Sequence, residues 1–492
     1  MEEQNNIRLE KLEKIRAAGI DPYPYEYRRS HSFAELIAGH GSSSAEELEK
    51  SALSCRVAGR IIARREMGKS TFMHLFDGRD KLQVYFRREA LDEKGALLLK
   101  LLDMADFIGV QGSLFKTRTG ELTVMVAEMT LLAKALHPLP EKWHGLQDKE
   151  LRYRRRYLDL IGNPDARRIF QVRFEMVRGV REFFQARDYV EVETPMMQPI
   201  PGGASARPFI THHNALSMDL FMRVAPELYL KRLLVGGMER VFEINRNFRN
   251  EGISQMHNPE FTMIEFYELY RDFNYYMDLT EELFAFLNKR IDTDGLLTAG
   301  GEPLNLEPPF PRRRFMSLLA EAGGEPEELF WDEGRLESYM KQRFPGLEVP
   351  STYGRRLDTL FSLLVEENLQ QPVFVTHHPK AISPLAKESR ADKRETERFE
   401  LYLAGMEIAN GFSELNDPLE QRRRFLAQLA DRERGDDEAQ LLDESFLEAL
   451  EHGMAPAAGE GIGIDRLVMV YSGTRSIREV VLFPLMRSKE NE

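Results

Sequence analysis

Apolar positions in the first part of the chain follow two different periods. Leu9, Leu12 and Ile15 recur at helical spacing among charges, and the pattern stops at Ala18-Gly19 with Pro22 beyond, which predicts one amphipathic helix with a glycine stop signal. From Cys55 the period drops to two. Short alternating runs cover Cys55–Ile62, Ser70–Phe76, Lys81–Phe86, Asp106–Phe115 and Glu121–Ala127, separated by turns at 67–69, 77–80 and 117–120. A helical run, Asp92–Leu102, falls between the third and fourth. Five short strands with one helix in that gap fit an OB-fold barrel.

Beyond residue 160 the patterning is mixed. Arg167–Ala186 reads as a long helix with Phe170, Phe174, Val177, Val180 and Phe184 on one face, followed by a short strand, Tyr189–Val192, that closes at Pro195. Further strands are expected at Phe221–Ala225, Val241–Phe248, Glu260–Tyr267 and Pro372–Thr376, and two short ones within Glu397–Ile408. Helices are expected at Leu228–Leu234, Asp278–Arg290, Arg335–Arg343 and Arg355–Glu366. The expected organisation is α+β and multidomain: an N-terminal helical extension (1–54), the barrel (55–138), a proline-bearing linker (139–160) and a large domain (161–492). The pattern loosens over 292–350, which reads as a helical insertion or lid.

Composition narrows the classes. The 492 residues carry 42% hydrophobic and 30% charged side chains, as in soluble globular proteins, and no run of about 18 apolar residues predicts a membrane span. The N-terminus lacks the apolar core of a signal peptide. The single cysteine, Cys55, excludes an internal disulfide and a Cys-based zinc site and suits a reducing cytoplasm. Net charge is −13, yet residues 51–160 hold 20 basic and 14 acidic side chains, +6 against −19 elsewhere. A basic segment on an acidic chain suggests contact with a polyanion; a solvated basic face gives the same count. In the barrel, Phe72, Arg64, Lys69 and Gln83 fall where a binding face would gather them, although Phe72 reads equally as core. The Arg154–Arg156 cluster suits a phosphate backbone or a second subunit.

Candidate chemistry centres on 242–270. Two alternating strands flank a loop that holds Arg249, Glu251 and His257, with Phe261 on the return strand. An arginine, an acid and an aromatic at this spacing suit a phosphate, an exocyclic amine and a flat ring, hence a nucleotide; an exposed hairpin with surface charges is the plain alternative. Gly202-Gly203 in a Pro/Gly loop permit close backbone approach to a ligand. Glu227 is a carboxylate at a helix start, favourable there on its own account. Glu400, Glu407 and Glu414, with Asn410 and Phe412 between them, suggest Mg²⁺ or a cationic ligand. His377-His378 make a poor chelate. Glycines at 459, 461 and 463 precede Asp465 and Arg466, the latter expected to point away from the sheet.

Together the helix–strand–Pro195 unit, the segment around Phe248-Arg249-Asn250-Glu251 and Gly461-Ile462-Gly463-Ile464-Asp465-Arg466 resemble motifs 1, 2 and 3 of the class II aminoacyl-tRNA synthetases. The strings PGGASARPF, APELYLKR, NRNFRNEG and NGFSELND, behind an OB-type barrel, resemble the bacterial-type lysyl-tRNA synthetases over nearly the whole chain. The resemblance implies an antiparallel catalytic sheet flanked by helices, a cytoplasmic homodimer, and ligation of L-lysine to tRNA(Lys) through a lysyl-adenylate. It implies catalytic roles for Arg249 and Arg466. Arg249 would contact the α-phosphate of ATP, Phe261 would stack under adenine, Glu251 would accept from its amine, and Arg466 would cover the ring and γ-phosphate, with His257 close by. Glu400 and Glu407 would hold Mg²⁺. Gly203, Glu227, Glu265, Tyr267, Asn410, Phe412 and Glu414 would surround lysine, and Phe72, Gln83 and Glu121 would contact the anticodon.

The residue types agree with that chemistry. A substrate carboxylate is already ionised at pH 7 and needs no general base to attack phosphorus, so the burden falls on positioning and charge neutralisation. Three acids in the pocket favour a cationic side chain over aspartate or asparagine, the substrates of the nearest alternative enzymes. A shorter paralogue that lysylates a translation factor lacks the barrel. A silent RNA-binding relative would have lost Arg249, Arg466 or the glutamates.

Overall fold

The period-two segments of the first third close into a barrel. In the computed structural model, which describes residues 2–139, 148–292, 295–299, 301–436 and 438–487, the chain divides into two units, 1–163 and 164–492. In the first, β1 (Ser54–Met67), β2 (Ser70–Phe76), β3 (Lys81–Arg87), β4 (Phe107–Lys116) and β5 (Leu122–Ala133) run in the closed order β1-β2-β3-β5-β4. The helix at Glu93–Leu101 sits between β3 and β4 as expected, its N-terminus capped by Asp92. Inward positions are apolar: Val57, Ile61, Met73, Leu75, Val84, Phe86, Val110 and Val124 form one core. Bulges interrupt β1 between Ile61 and Ala63 and the β4–β5 pairing at Gln111/Gly112, and they add the bend that closure requires. The first helix, Glu2–Ala17, is tied to the barrel by Lys11–Asp103 (2.6 Å), Asp103–Lys134 (2.6 Å) and the fully buried pair Lys134–Asp106 (2.8 Å). Part of the linker, 140–147, lies outside the described residues. Its remainder folds into short helices, Lys149–Arg154 and Arg156–Gly162. There Arg156 is fully buried and paired with Asp159 at 2.9 Å, so one member of the arginine cluster serves the fold.

The second unit is built on an eight-stranded sheet. Its strands are β6 (Val190–Glu191), β10 (Arg240–Phe248), β11 (Glu260–Leu269), β14 (Arg312–Arg314), β15 (Val373–Thr376), β16 (Arg398–Leu403), β17 (Met406–Ser413) and β18 (Ala457–Gly463), in the order β14-β15-β16-β17-β18-β11-β10-β6. Pairing is antiparallel except at the two edges, β14–β15 and β10–β6. A small sheet joins β7 (Met197–Gln198), β9 (Met218–Met222) and β8 (Ile210–His213), and a ribbon pairs β12 (Thr298–Ala299) with β13 (Glu302–Pro303). Alternation decides which residues meet what. Ile264 and Phe266 of β11, Leu401 of β16 and Ile462 of β18 face a core shared with helices Pro164–Gln185, Phe273–Asn288 and Ile464–Ser472. Residues of the opposite parity face a cleft.

Several expectations shift. The strand read at Phe221–Ala225 runs Met218–Met222, because the buried guanidinium of Arg223 pairs with Glu243 (2.6 Å) and donates to the carbonyls of Thr194 and Arg246, drawing the chain out of the small sheet. Phe174 does not join the buried stripe of its helix; it remains 54% exposed, opposite the row Val172–Met176–Val180–Phe183. Within 292–350, Arg312–Arg314 extends the main sheet by one strand. Helices Phe315–Gly323 and Glu333–Arg343 pack with Tyr353–Leu364 around Phe315, Leu336, Leu357 and Phe361. No helix among the described residues is long and apolar enough to cross a membrane.

The core also holds a carboxyl. Glu460 of β18 is 1% exposed on the helix side, its carboxyl 2.7 Å from the Thr280 hydroxyl, and burial holds its pKa well above the ordinary value. The folded chain therefore keeps a proton that the unfolded chain releases near pH 4.3, and stability is lost as pH rises above that point, by about 1.4 kcal/mol per unit until the folded group titrates. Glu460→Gln removes this term. Its melting temperature is expected to exceed that of the parent, by more at pH 8 than at pH 5; thermal unfolding at both pH values measures the difference.

Candidate active site

The cleft face of the sheet carries two cross-strand rows. One runs Glu243–Glu265–Gly461–Asn410–Glu400 across β10, β11, β18, β17 and β16; the next runs Val241–Tyr267–Gly459–Phe412–Arg398 across the same strands. Both rows have a glycine at their centre. A Cβ on Gly459 would stand 2.2 Å from the Tyr267 ring and 2.6 Å from Glu414 Oε1, and one on Gly461 would stand 2.6 Å from Met263 and 3.4 Å from Glu265. The glycines of β18 thus lower the floor of the cleft so that large side chains from both neighbouring strands lean over it. The result is a cavity of about 380 Å³ lined by Gly203, Glu227, Arg249, Glu251, His257, Phe261, Glu265, Tyr267, Glu400, Glu407, Asn410, Phe412 and Arg466. Glu414, at the end of β17, is buried behind Tyr267 and Gly459.

One end of the cavity is cationic. The Arg249 guanidinium lies 5.0 Å over the Phe261 ring, and its buried Nε has no hydrogen-bond partner. Burial lowers its pKa, while Glu251, Glu407 and Glu265 favour the charge. The Arg466 side chain does not point away from the sheet. It turns back across β17, donating to the Glu407 carbonyl and to His257 Nε2 at 3.4 Å. His257 Nδ1 also meets the Ser254 hydroxyl at 3.0 Å, and partial burial with the two arginines depresses its pKa, so the imidazole is neutral at pH 7. Behind Phe261, Asp465 accepts from the Thr262 amide (2.7 Å) and from Arg173, whose second nitrogen reaches the Thr262 hydroxyl at 3.0 Å.

The other end is acidic. Glu265 is 3% exposed and accepts from the Tyr267 hydroxyl at 3.2 Å; burial and the nearby Glu227 push its pKa well up. Gly203, at φ +91°, passes so close to the helix Glu227–Val235 that a Cβ would stand 2.9 Å from Glu227 Cβ. On the third side stand Glu400 and Glu407. Burial opposes ionisation of Glu400, but His378 at 3.3 Å, Arg398 at 2.5 Å and the Tyr402 hydroxyl at 2.8 Å more than offset it. Since burial also drives the His378 pKa down, Arg398 supplies the positive charge at pH 7. Glu407 is raised to about 7 by burial and by Glu400.

Sequence reasoning did not single out Lys231, Arg398 or Tyr402. The signals were local: Lys231 follows Glu227 at i+4 on a helix, and Arg398, Glu400 and Tyr402 share one parity on a strand. On the barrel, Phe72 lies on the outer face, its ring 4.6 Å from that of Tyr85, which in turn stands 5.9 Å from Phe115. Gln83 is buried, donating to Glu121 (2.7 Å) and accepting from Thr123 (2.9 Å), and Glu121 also meets His74 at 2.7 Å.

Residues 148–487 match the family model for tRNA synthetases class II (D, K and N), and residues 55–132 match that for an OB-fold nucleic acid binding domain. The chain belongs to the class II tRNA synthetases. Within that class it is 47% identical to the lysine–tRNA ligase of Oceanobacillus iheyensis, with 99% of each chain covered, and 48% identical to that of Pelotomaculum thermopropionicum, with 100% of this chain and 96% of the relative covered. The lysine–tRNA ligase of Bacillus subtilis is 47% identical over 99% of this chain and 98% of its own.

The lowered floor is testable. Gly459→Ala forces the Tyr267 ring or the Glu414 carboxylate aside, and affinity for L-lysine is expected to fall by about tenfold or more, about 1.4 kcal/mol. Calorimetric titration measures it, with circular dichroism showing an unchanged fold.

Proposed function

We propose that the cavity joins L-lysine to AMP at the expense of ATP, and that the enzyme then transfers the lysyl group to the 3′ end of tRNA(Lys). The observation that carries the nucleotide half is Arg249: a guanidinium stacked on Phe261 and aimed into a cleft without a side-chain partner suits a phosphate above and a purine ring beside it. Arg466 and neutral His257 flank the same end for the terminal phosphates, and Glu251 for the adenine amine. The acidic end, with Glu227, Glu265 and Glu414 and the polar groups of Tyr267 and Asn410, suits the two ammonium groups of lysine, with Gly203 and Phe412 shaping the wall.

In this reading the lysine carboxylate attacks the α-phosphorus unaided by a base. Arg249 holds the α-phosphate in line and answers the charge that grows on it, and Arg466 draws the pyrophosphate away. Glu400 and Glu407 fit a hard divalent cation. They are oxygen donors on adjacent strands, and Glu407 is driven up toward 7 by its neighbour, a repulsion that a cation relieves. Two carboxylates suit Mg²⁺, which uses one or two and takes the rest of its shell from phosphates and water. When bound, Mg²⁺ would neutralise phosphate charge.

On the barrel, the outward ring series Phe72–Tyr85–Phe115 supports base stacking by Phe72, with Gln83 and Glu121 beside it for anticodon base edges. Exposed apolar side chains at Phe174, Val190, Met197 and Ile210 support a homodimer that would cover them. A cytoplasmic setting accords with the lone buried thiol, Cys55.

Arg249→Ala is expected to lose about 2.7–4 kcal/mol of transition-state stabilisation, read as kcat/KM in lysine-dependent ATP–pyrophosphate exchange; an unchanged value removes Arg249 from the reaction. Phe72→Ala is expected to leave that exchange intact, since it needs no tRNA, and to weaken tRNA(Lys) binding by about 1–3 kcal/mol, measured as the KM for tRNA in aminoacylation.

A further inference from the structure

Directly behind the acidic end of the cavity lies a buried cation that belongs to the chain. Lys231 is fully buried one helical turn after Glu227, its Nζ 2.6 Å from Glu227 Oε1 and 2.5 Å from Glu414 Oε2. It also lies 5.2 Å from the centre of the Phe412 ring and 6.0 Å from that of Phe446. Burial opposes its charge, but the two carboxylates more than restore it and raise its pKa. Glu227 opens a helix and Glu414 follows β17, so one ammonium ties an acid of the cavity lining to an acid buried behind it. Glu265, the third acid, has no such partner; it meets only the Tyr267 hydroxyl.

The charges can be counted for the loaded pocket. Burial raises the pKa of all three acids, and Glu414 reaches about 8, so they ionise fully only against cations. With all three ionised, one resident ammonium leaves two negative charges, and lysine brings two ammonium groups, while its carboxylate turns toward Arg249. An amino acid with a single ammonium would leave a buried carboxylate unanswered, which is costly. Without Lys231, three acids would face two ammonium groups, and Glu227 and Glu414 would repel each other across the pocket.

We propose that Lys231 is a specificity-determining positioning residue: its ammonium ties Glu227 to Glu414 and sets the pocket's charge to match a diamino acid. The inference rests on the lysine-activating reading above. It reaches beyond the substrate-contacting residues to the group that arranges them.

The test is lysine-dependent pyrophosphate exchange by the full chain and two variants, with thermal unfolding measured in parallel. Absence of exchange in the wild type would remove the reading and the proposal together. In Lys231→Met, similar in length and neutral, the KM for lysine is expected to rise about tenfold or more while kcat stays within about threefold, the signature of lost substrate binding and not of lost transition-state contacts. In Lys231→Ala, added propylammonium is expected to enter the vacated site and bring KM back toward the wild-type value, whereas sodium chloride at equal ionic strength does not. A Lys231→Met KM within about twofold of wild type, or no difference between propylammonium and sodium chloride, overturns the proposal while leaving lysine activation in place. A joint fall of kcat, affinity and melting temperature in both variants, without rescue, assigns Lys231 to the fold alone and also overturns it.

Discussion

A sheet that offers one face to a ligand must leave that face unfilled, and the chain meets this constraint with the missing Cβ atoms of Gly459 and Gly461. Strands on either side place Glu265, Tyr267, Asn410 and Phe412 in register with those glycines. In an ordinary strand, side chains at 459 and 461 would occupy the space, and the neighbouring side chains would have to splay apart. Every distance at the acidic end depends on this gap, because the Tyr267 ring and Glu414 stand within it. The same strand carries Ile462 and Glu460 on its other face, so a single alternation keeps the cleft open and the core closed.

The cavity is polarised, and Arg249 and Arg466 are held away from its acidic end by the elements that carry them. Arg249 and Arg466 project from a loop and a helix start, whereas Glu227, Glu265 and Glu414 project from a helix, a mid-strand position and a strand end. Buried charges that collapse onto one another bind nothing. Here Arg249 retains an unpartnered Nε, and Glu265 accepts only one hydroxyl. The pocket therefore enters the binding step with under-bonded groups at both ends, a guanidinium at one and a carboxyl whose ionisation burial opposes at the other, and a zwitterionic substrate beside a polyphosphate answers both.

Much of this was legible in the chain, because period-two alternation marks which side of a strand a residue occupies. Phe261, Glu265 and Tyr267 share one parity on β11, and they do line one cleft. The barrel strands were readable for the same reason. What escaped the sequence was long-range or sign-blind. Arg312–Arg314 lies in the stretch that reads as a helical insertion, and only its distant partner, Phe374–Thr376, makes it a strand. Phe174 looks like a stripe residue until Val172 and Met176 fix which face is covered. Lys231 on a helix reads as a surface charge, since nothing local reports that Glu414, far along the chain, will close over it. Arg466 stands at a helix start, and only its partners Glu407 and His257, distant in the chain, fix the direction its side chain takes.

Asp465 joins three parts of the second unit in one carboxylate: the Thr262 amide of the strand carrying Phe261, the helix that presents Arg466, and Arg173 of the helix Pro164–Gln185. On that last helix the residue next to Arg173 is the exposed Phe174. The outer side of the helix and the ring-stacking strand are thus joined through one carboxylate, to which Arg173, beside Phe174, and the Thr262 amide, beside Phe261, both donate. Removing the Asp465 carboxylate would take from both donors the acceptor they share.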